Sequence, residues 1–259
     1  MKITILSENV AGGKFFAEHG LSYLVESDNQ TILWDTGHSD IFLQNAKMLN
    51  IDFDKVDTIA LSHGHWDHGN GLKYLKDKKL ITHPGSFIKR FRKGGNENIG
   101  LDLSYEELEK RFTIIKSKEP YSISDRILFL GEIPRLNSFE SKTTTFVDEE
   151  LNDDFIIDDS ALAIIEGNEL IVVSGCSHAG ICNIIEYAKK VTGINKVKAV
   201  FGGFHLKVID RQTKETINYF KENKIEKIYP SHCTELPALT AFYNEFKIQQ
   251  IKTGMELNI

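Results

Sequence analysis

The sequence predicts a layered α/β protein in which β-sheets lie between helices. Short apolar runs end at Gly, Asn, Asp or Pro, as strands do, and stretches with helical periodicity lie between them. Strand-rich runs come first, and the mixture of strands and helices then recurs. This order favours sheets packed between helices over a regularly alternating βα barrel.

The individual elements follow from local patterns along the chain. Apolar runs bounded by turn residues predict strands at 2–7, 21–26, 31–34, 56–61, 79–82, 127–130, 161–165, 169–174, 197–202 and 226–230. Helical spacing predicts helices at 40–49, 71–77, 104–111, 180–191, 211–223 and 235–246. The clearest is 180–191, because its apolar residues share one face and Gly193 follows its end. Residues 84–126 fit least well, and we expect an insertion there within a single domain spanning 1–259.

Composition limits the class of protein. The 259 residues suit one large domain, and 41% hydrophobic and 26% charged residues exclude a disordered chain. No apolar run approaches the length of a membrane span, and the first residues lack a signal-peptide pattern, so a cytoplasmic location is expected. A net charge of −6 argues against a nucleic-acid partner. Three cysteines without a CxxC pair argue against a disulfide framework.

Charge is unevenly distributed along the chain. Residues 72–93 contain eight basic residues and a single acid, whereas residues 148–159 contain seven acids and no base. Both segments are interpreted either as solvated surface or, for the basic one, as a contact for an anionic substrate. The second interpretation predicts a small, anionic substrate as the partner.

The main chemical signal is the stretch that follows the strand predicted at 56–61. His63, His65, Asp67 and His68 are four metal-ligand residues within six positions. His63 and His65 project the same way from an extended chain and can bind one ion, and Asp67 and His68 can bind a second after the chain turns. Imidazole and carboxylate ligands suit zinc, iron or manganese. We therefore expect one or two divalent transition-metal ions, with zinc favoured.

This stretch, HGHWDHGNG, resembles the H-x-H-x-D-H signature of the metallo-β-lactamase superfamily. The resemblance implies an αββα sandwich of two mixed sheets flanked by helices, with one or two metals at the sheet edges. Further stretches resemble the branch that contains 7,8-dihydropterin-6-methyl-4-(β-D-ribofuranosyl)-aminobenzene-5′-phosphate synthase. These stretches are residues 19–22, 33–37, 63–71, 174–180, 202–206 and 231–234.

The resemblance also implies two metal ligands in the second half of the chain, His178 and His232. The sequence departs from many relatives, however, because 175–178 reads Gly-Cys-Ser-His without the carboxylate that bridges two metals. Cys176 is therefore either a soft ligand near the metals or a buried structural thiol. Asp159 is either a substitute ligand or the cap of a turn.

The remaining candidates are assigned by position and resemblance. Asp35, at the end of a predicted strand, is expected to orient a metal-binding histidine by hydrogen bonding. His205 follows Gly202 and Gly203, and together with Asp67 it is predicted to be catalytic, in substrate binding or proton transfer. A structural role is the alternative for His205. His19 has a similar but weaker assignment to the substrate site.

These residues predict a metal-dependent hydrolase of a small anionic molecule, which uses a metal-activated water. A transferase of the synthase type named above is the alternative. A metal-dependent oxidoreductase and a non-catalytic ligand sensor are further alternatives.

Overall fold

A computed structural model describes residues 1–225 and 227–259. Its strands are β1 (Lys2–Ser7), β2 (Ser22–Ser27), β3 (Gln30–Trp34), β4 (Thr58–Ala60), β5 (Lys78–Thr82), β6 (Arg90–Arg92), β7 (Phe112–Lys116), β8 (Tyr121–Ser124), β9 (Ile127–Phe129), β10 (Phe146–Asp148), β11 (Ala161–Glu166), β12 (Glu169–Ser174), β13 (Val197–Gly203), β14 (Lys227–Ser231) and β15 (Glu256–Asn258).

The helices lie mostly between strands. They are α1 (Ile41–Met48), α2 (Trp66–Gly69), α3 (Tyr105–Leu108), α4 (Ile181–Thr192), α5 (Arg211–Glu222) and α6 (Leu236–Phe246). Helix α4 ends where Gly193 adopts a left-handed conformation with φ of 73°, as its sequence predicted. None of these helices combines the length and the apolar character that crossing a membrane requires.

Two mixed sheets form the centre of the fold. The first has the order β15-β1-β2-β3-β4-β5-β7, and the second has the order β14-β13-β12-β11-β9-β8. In the first sheet β3, β4, β5 and β7 run parallel, and in the second β12, β13 and β14 do. Since the carboxyl ends of parallel strands meet at one edge, the loops after these strands lie close together.

Apolar side chains hold the layers together. The inner faces of the two sheets share one cluster, in which Ile32 and Ile5 of the first sheet meet Ile171 and Phe201 of the second. Helices α4, α5 and α6 cover the outer face of the second sheet, and α1 covers the outer face of the first. The predicted αββα sandwich is therefore confirmed.

Most predicted elements are present, with differences that have physical causes. All ten predicted strands occur, although residue 226 of the last one lies outside the described residues. The prediction of a helix at 71–77 is wrong. Asn70–Tyr74 forms a 3-10 turn instead, and the Gly71 N–H donates a hydrogen bond to the Gly37 carbonyl outside that turn. The helix predicted at 104–111 is only α3, since β7 begins at Phe112.

Residues 84–126, predicted as an insertion, divide between several environments. Strand β6 pairs with β10 in a separate two-stranded sheet, which we call the β6–β10 ribbon. Strands β7 and β8, which the sequence did not predict, belong to the two large sheets. The short strand β15 at the edge of the first sheet was also missed. The single-domain boundary stays a prediction.

Candidate metal centre

Six chain segments converge at one edge of the sandwich. They follow β1, β3 and β4 in the first sheet and β12, β13 and β14 in the second. Every site residue predicted from the sequence, except Asp159, lies on one of these six segments. The tertiary fold thus brings together residues from both halves of the chain.

The first donor group is a set of three histidines. A ligand nitrogen of His63, of His65 and of His178 all lie within 4.8 Å of one another. His63 Nε2 is 2.9 Å from His65 Nδ1, and the His178 ring centroid is 4.9 Å from each of the other two. Burial lowers the pKa of all three imidazoles well below the usual range, so they are neutral at pH 7. Neutral imidazoles are the form that binds metals.

This group fits a cation. Among the described residues, the buried Nε2 atom of His178 has no hydrogen-bond partner, and the same is true of His65 Nε2. An unpaired buried nitrogen costs about 1–3 kcal/mol. An ion bound between the rings would remove this cost for each nitrogen that ligated it. Three histidines are also a common ligand set for zinc.

The second donor group contains Asp67, His68, His232 and Cys176. His68 Nε2 is 3.1 Å from both Cys176 Sγ and His232 Nε2, and His232 Nε2 is 3.2 Å from Asp67 Oδ2. Burial by itself would raise the pKa of Asp67, but the neighbouring histidines outweigh it and hold that pKa well below its usual range. Asp67 is therefore an ionised carboxylate that faces the imidazoles. Cys176 is buried, and its Sγ atom lies within 4.8 Å of a ligand nitrogen of both His63 and His68, so it stands between the two donor groups.

Asp35 stands behind the second donor group. Its Oδ2 atom accepts a hydrogen bond of 2.7 Å from His68 Nδ1, and its Oδ1 atom accepts the Ser62 N–H at 2.7 Å. The hydrogen bond from His68 Nδ1 to Asp35 directs the opposite ring nitrogen, Nε2, toward the donor group. Burial opposes charge on His68, but Asp35 and Asp67 outweigh it and raise the pKa of His68 to about 9.

Three other candidates occupy distinct positions. Asp159 accepts a hydrogen bond from the Ala179 N–H at 2.9 Å and so stabilises the turn that carries His178. Burial raises the pKa of Asp159 to about 7. The His205 ring lies 4.5 Å from that of His178, and its pKa is lowered to about 4, chiefly by burial. His19 Nε2 is 3.2 Å from Asp67 Oδ2, and its side chain is 54% exposed.

Sequence reasoning missed two residues that hold His232. Glu8 Oε1 accepts the His232 N–H at 2.6 Å, and Asn9 Oδ1 lies 2.9 Å from His232 Nδ1. The signal available was a polar pair directly after the buried strand β1. Glu8 is almost fully buried, and burial raises its pKa to about 7.

Two adjoining cavities open beside the donor groups. The smaller, of about 270 Å³, is lined by His19, Asp67, Cys176, His232 and Arg92 among others. The larger, of about 490 Å³, is lined by aromatic and cationic side chains that include Phe139, Phe155, Lys142 and Arg211. Both cavities share Phe146, His178, His205 and Lys207. The donor groups therefore border a two-part cleft.

Part of the basic segment forms ion pairs with the acidic segment. Lys89 pairs with Glu149 and Lys93 with Asp153 across the β6–β10 ribbon. Arg90, part of the segment interpreted as a substrate contact, is fully buried. That interpretation is wrong for Arg90, because its guanidinium is used internally by Asp154 and Asp158.

Arg92 is the member of the basic segment that lines the smaller cavity. Its guanidinium carbon lies 5.7 Å from the Phe146 ring centroid. The Phe146 ring in turn lies 5.0 Å from that of His65. The β6–β10 ribbon thus covers the first donor group.

Comparisons with known proteins agree with this geometry. The sequence model described as the metallo-beta-lactamase superfamily matches residues 16–85. The chain is 38% identical over 251 residues to uncharacterized protein MJ0448 of Methanocaldococcus jannaschii, with 92% of each covered. It is 36% identical over 273 residues to 7,8-dihydropterin-6-methyl-4-(beta-D-ribofuranosyl)-aminobenzene-5′-phosphate synthase of the same organism, with 95% of this chain and 92% of the relative covered.

A solved structure shows the same similarity. The crystal structure of Tm1679, a metal-dependent hydrolase of the beta-lactamase superfamily, superposes with a TM-score of 0.89 at 32% sequence identity. The match covers 100% of this chain and 99% of the other. These similarities confirm the resemblance that the histidine motif predicted.

Proposed function

The chain belongs to the metallo-β-lactamase superfamily, and we propose that it is a metal-dependent hydrolase of a small anionic molecule. The observation that carries the proposal is the pair of adjoining donor groups on the wall of a cleft. His63, His65 and His178 would hold one divalent ion. Asp67, His68 and His232 would hold a second, with Cys176 beside them.

Zinc is the proposed metal, because imidazole and carboxylate ligands suit it, and iron or manganese are the alternatives. A bound ion of this kind lowers the pKa of water to about 7 and polarises a carbonyl or phosphoryl oxygen. Asp67 is ionised at neutral pH, so its carboxylate would ligate the second ion and could accept a hydrogen bond from a water bound there. His205 is neutral at that pH and can accept a proton or hydrogen bond from substrate.

Positive side chains around the cleft favour an anionic substrate. Lys207 is exposed and lines both cavities, and Arg92 lines the smaller one. Lys142 and Arg211 line the larger cavity, where Asp210 is a nearby acid. Clustered cations at a cleft raise the local concentration of anions. We therefore propose that the reacting group lies in the smaller cavity and that an anionic remainder extends into the larger one.

A synthase reaction is the second candidate, favoured by the 36% identical relative and by the two-part cleft. The name of that relative's product describes a pterin joined to a ribosylated aminobenzene phosphate. Two adjoining cavities with a shared wall suit two substrates that must meet at one metal-lined point. Lewis acidity at the same donor groups would serve either reaction.

Metal analysis followed by a substrate screen tests the proposal. Protein purified without chelator should contain one or two transition-metal ions per chain and should hydrolyse a phosphodiester or lactone substrate. His63→Ala and His178→Ala should lose metal and turnover together, whereas His38→Ala, at an exposed histidine outside the donor groups, should lose neither. Product formed only when both pterin and aminobenzene cosubstrates are present would support the synthase instead. Full metal content in His178→Ala would contradict the assignment of His178 as a ligand in the first donor group.

A further inference from the structure

Asn9 lies between two histidines of the candidate metal centre. It follows β1, and its side chain reaches His232, 223 residues away along the chain. The amide oxygen lies 2.9 Å from His232 Nδ1, and the amide nitrogen lies 3.4 Å from His19 Nδ1. Both imidazoles also approach Asp67 Oδ2 through their Nε2 atoms, each at 3.2 Å. Either histidine is therefore placed to be a metal ligand.

Two backbone groups fix which way the Asn9 amide points. The His232 carbonyl can only accept a hydrogen bond, and it lies 3.1 Å from the amide nitrogen. The Gly20 N–H can only donate, and it lies 3.4 Å from the amide oxygen. Exchanging the amide oxygen and nitrogen would place acceptor against acceptor and donor against donor. The orientation is therefore determined by the backbone.

This orientation gives His232 the tautomer that a metal ligand needs. The Asn9 oxygen can only accept, so His232 Nδ1 carries a proton and donates it to Asn9. The Nε2 atom of the neutral ring then has a free lone pair, which points toward Asp67 and His68. Glu8 holds the His232 backbone in the same position through the His232 N–H.

The same amide has the opposite effect on His19. The Asn9 nitrogen donates one hydrogen to the His232 carbonyl and its other hydrogen to His19 Nδ1. His19 Nδ1 is therefore an unprotonated acceptor, so the proton of the neutral ring is on Nε2, facing Asp67. A protonated nitrogen cannot bind a metal.

We propose that Asn9 is a positioning residue that assigns opposite roles to two histidines of one cluster. His232 becomes a metal ligand through Nε2, and His19 becomes a hydrogen-bond donor to Asp67 through Nε2. This proposal rests on the metal centre proposed above. It excludes His19 from the ligand set, although His19, Asp67 and His232 lie close enough to form a third donor group.

Long-range proton–nitrogen NMR spectra of the zinc-loaded protein test the assignment, with zinc chosen because it is diamagnetic. His19→Gln and His232→Gln variants identify the two rings. His232 should carry its proton on Nδ1 and bind zinc through Nε2, and His19 should carry its proton on Nε2. Zinc on His19, or a proton on His232 Nε2, would overturn the proposal.

Variants of Asn9 give a second readout. In Asn9→Asp the carboxylate cannot donate, so the His19 proton should move to Nδ1 while His232 keeps its own; an unchanged His19 spectrum contradicts the proposal. Asn9→Leu should weaken zinc affinity about 10–100-fold, and Asn244→Leu, at an exposed position, should not change it.

If Asn9→Leu fails to fold, the spectra of the parent and of Asn9→Asp still decide the assignment. If the parent binds no zinc, the proposed function fails, whereas the proton positions read from the same rings still test the role of Asn9.

Discussion

Arg90 and Asp158 form a buried ion pair with two hydrogen bonds, of 2.8 Å between Nη2 and Oδ1 and of 3.1 Å between Nη1 and Oδ2. The same carboxylate accepts the Gly64 N–H at 2.7 Å. Gly64 lies between two histidines of the first donor group, so this pair ties the metal-binding loop to the β6–β10 ribbon.

Removing the arginine should therefore destabilise the protein. In Arg90→Ala, Asp158 and Asp154 would be left buried without their cation, and the free energy of unfolding should fall by about 3–5 kcal/mol. Urea denaturation measures this difference. The control is Lys89→Ala, which breaks an exposed pair worth about 0–1 kcal/mol. Equal losses in the two variants would show that the Arg90 pair has no such role.

Asp35 should affect metal affinity without being a ligand. Asp35→Asn keeps the shape of the side chain but removes the charge that orients His68. Zinc affinity should weaken about 10–100-fold, as measured by competition with a chromophoric chelator. Asp125→Asn, at an exposed turn, serves as a control. Complete loss of metal from a folded Asp35→Asn protein would instead make Asp35 a direct ligand.

Metal binding at the second donor group should release a proton from His68. Its pKa of about 9 means that the ring is protonated at pH 7 when no ion is bound, while ligation requires the neutral ring. Affinity at this position should therefore rise with pH up to about 9. The histidines of the first group, whose pKa values are lowered, should release none at pH 7.

Proton release can be measured in weakly buffered solution during zinc titration. Asp35→Asn lowers the pKa of His68 by removing a neighbouring charge, so this variant should release fewer protons per zinc than the parent. Equal release in both proteins would mean that the protons come from bound water or from another group.

Substrate affinity should depend on Lys207. Lys207→Ala should raise the KM for an anionic substrate and leave metal content unchanged, because the lysine lines both cavities. Added salt, which screens charge over about 8 Å at physiological ionic strength, should raise the parent's KM more than the variant's. Lys190→Ala, exposed on α4, is the control. Identical KM values and salt dependence in the parent and in Lys207→Ala would show that Lys207 does not contribute to binding the anionic substrate.

The sequence by itself determined the layered fold and the first half of the metal centre. Strands and helices could be predicted because the apolar runs, helical spacing and turn residues that mark them are local sequence patterns. His63, His65, Asp67 and His68 were readable for the same reason, since all four lie in one turn. His178 and His232 were found only through resemblance, because nothing local distinguishes a single histidine after a strand.

Only the tertiary structure decided how distant residues combine. Arg90 looked like an exposed cation, but its partners lie more than 60 residues away, and they turn a substrate contact into a buried ion pair. Strands β6 and β10 pair 54 or more residues apart and show no strong alternation of their own. Asn9 meets His232 across 223 residues. Burial and hydrogen-bond geometry are properties of such long-range contacts, and local sequence patterns do not contain them.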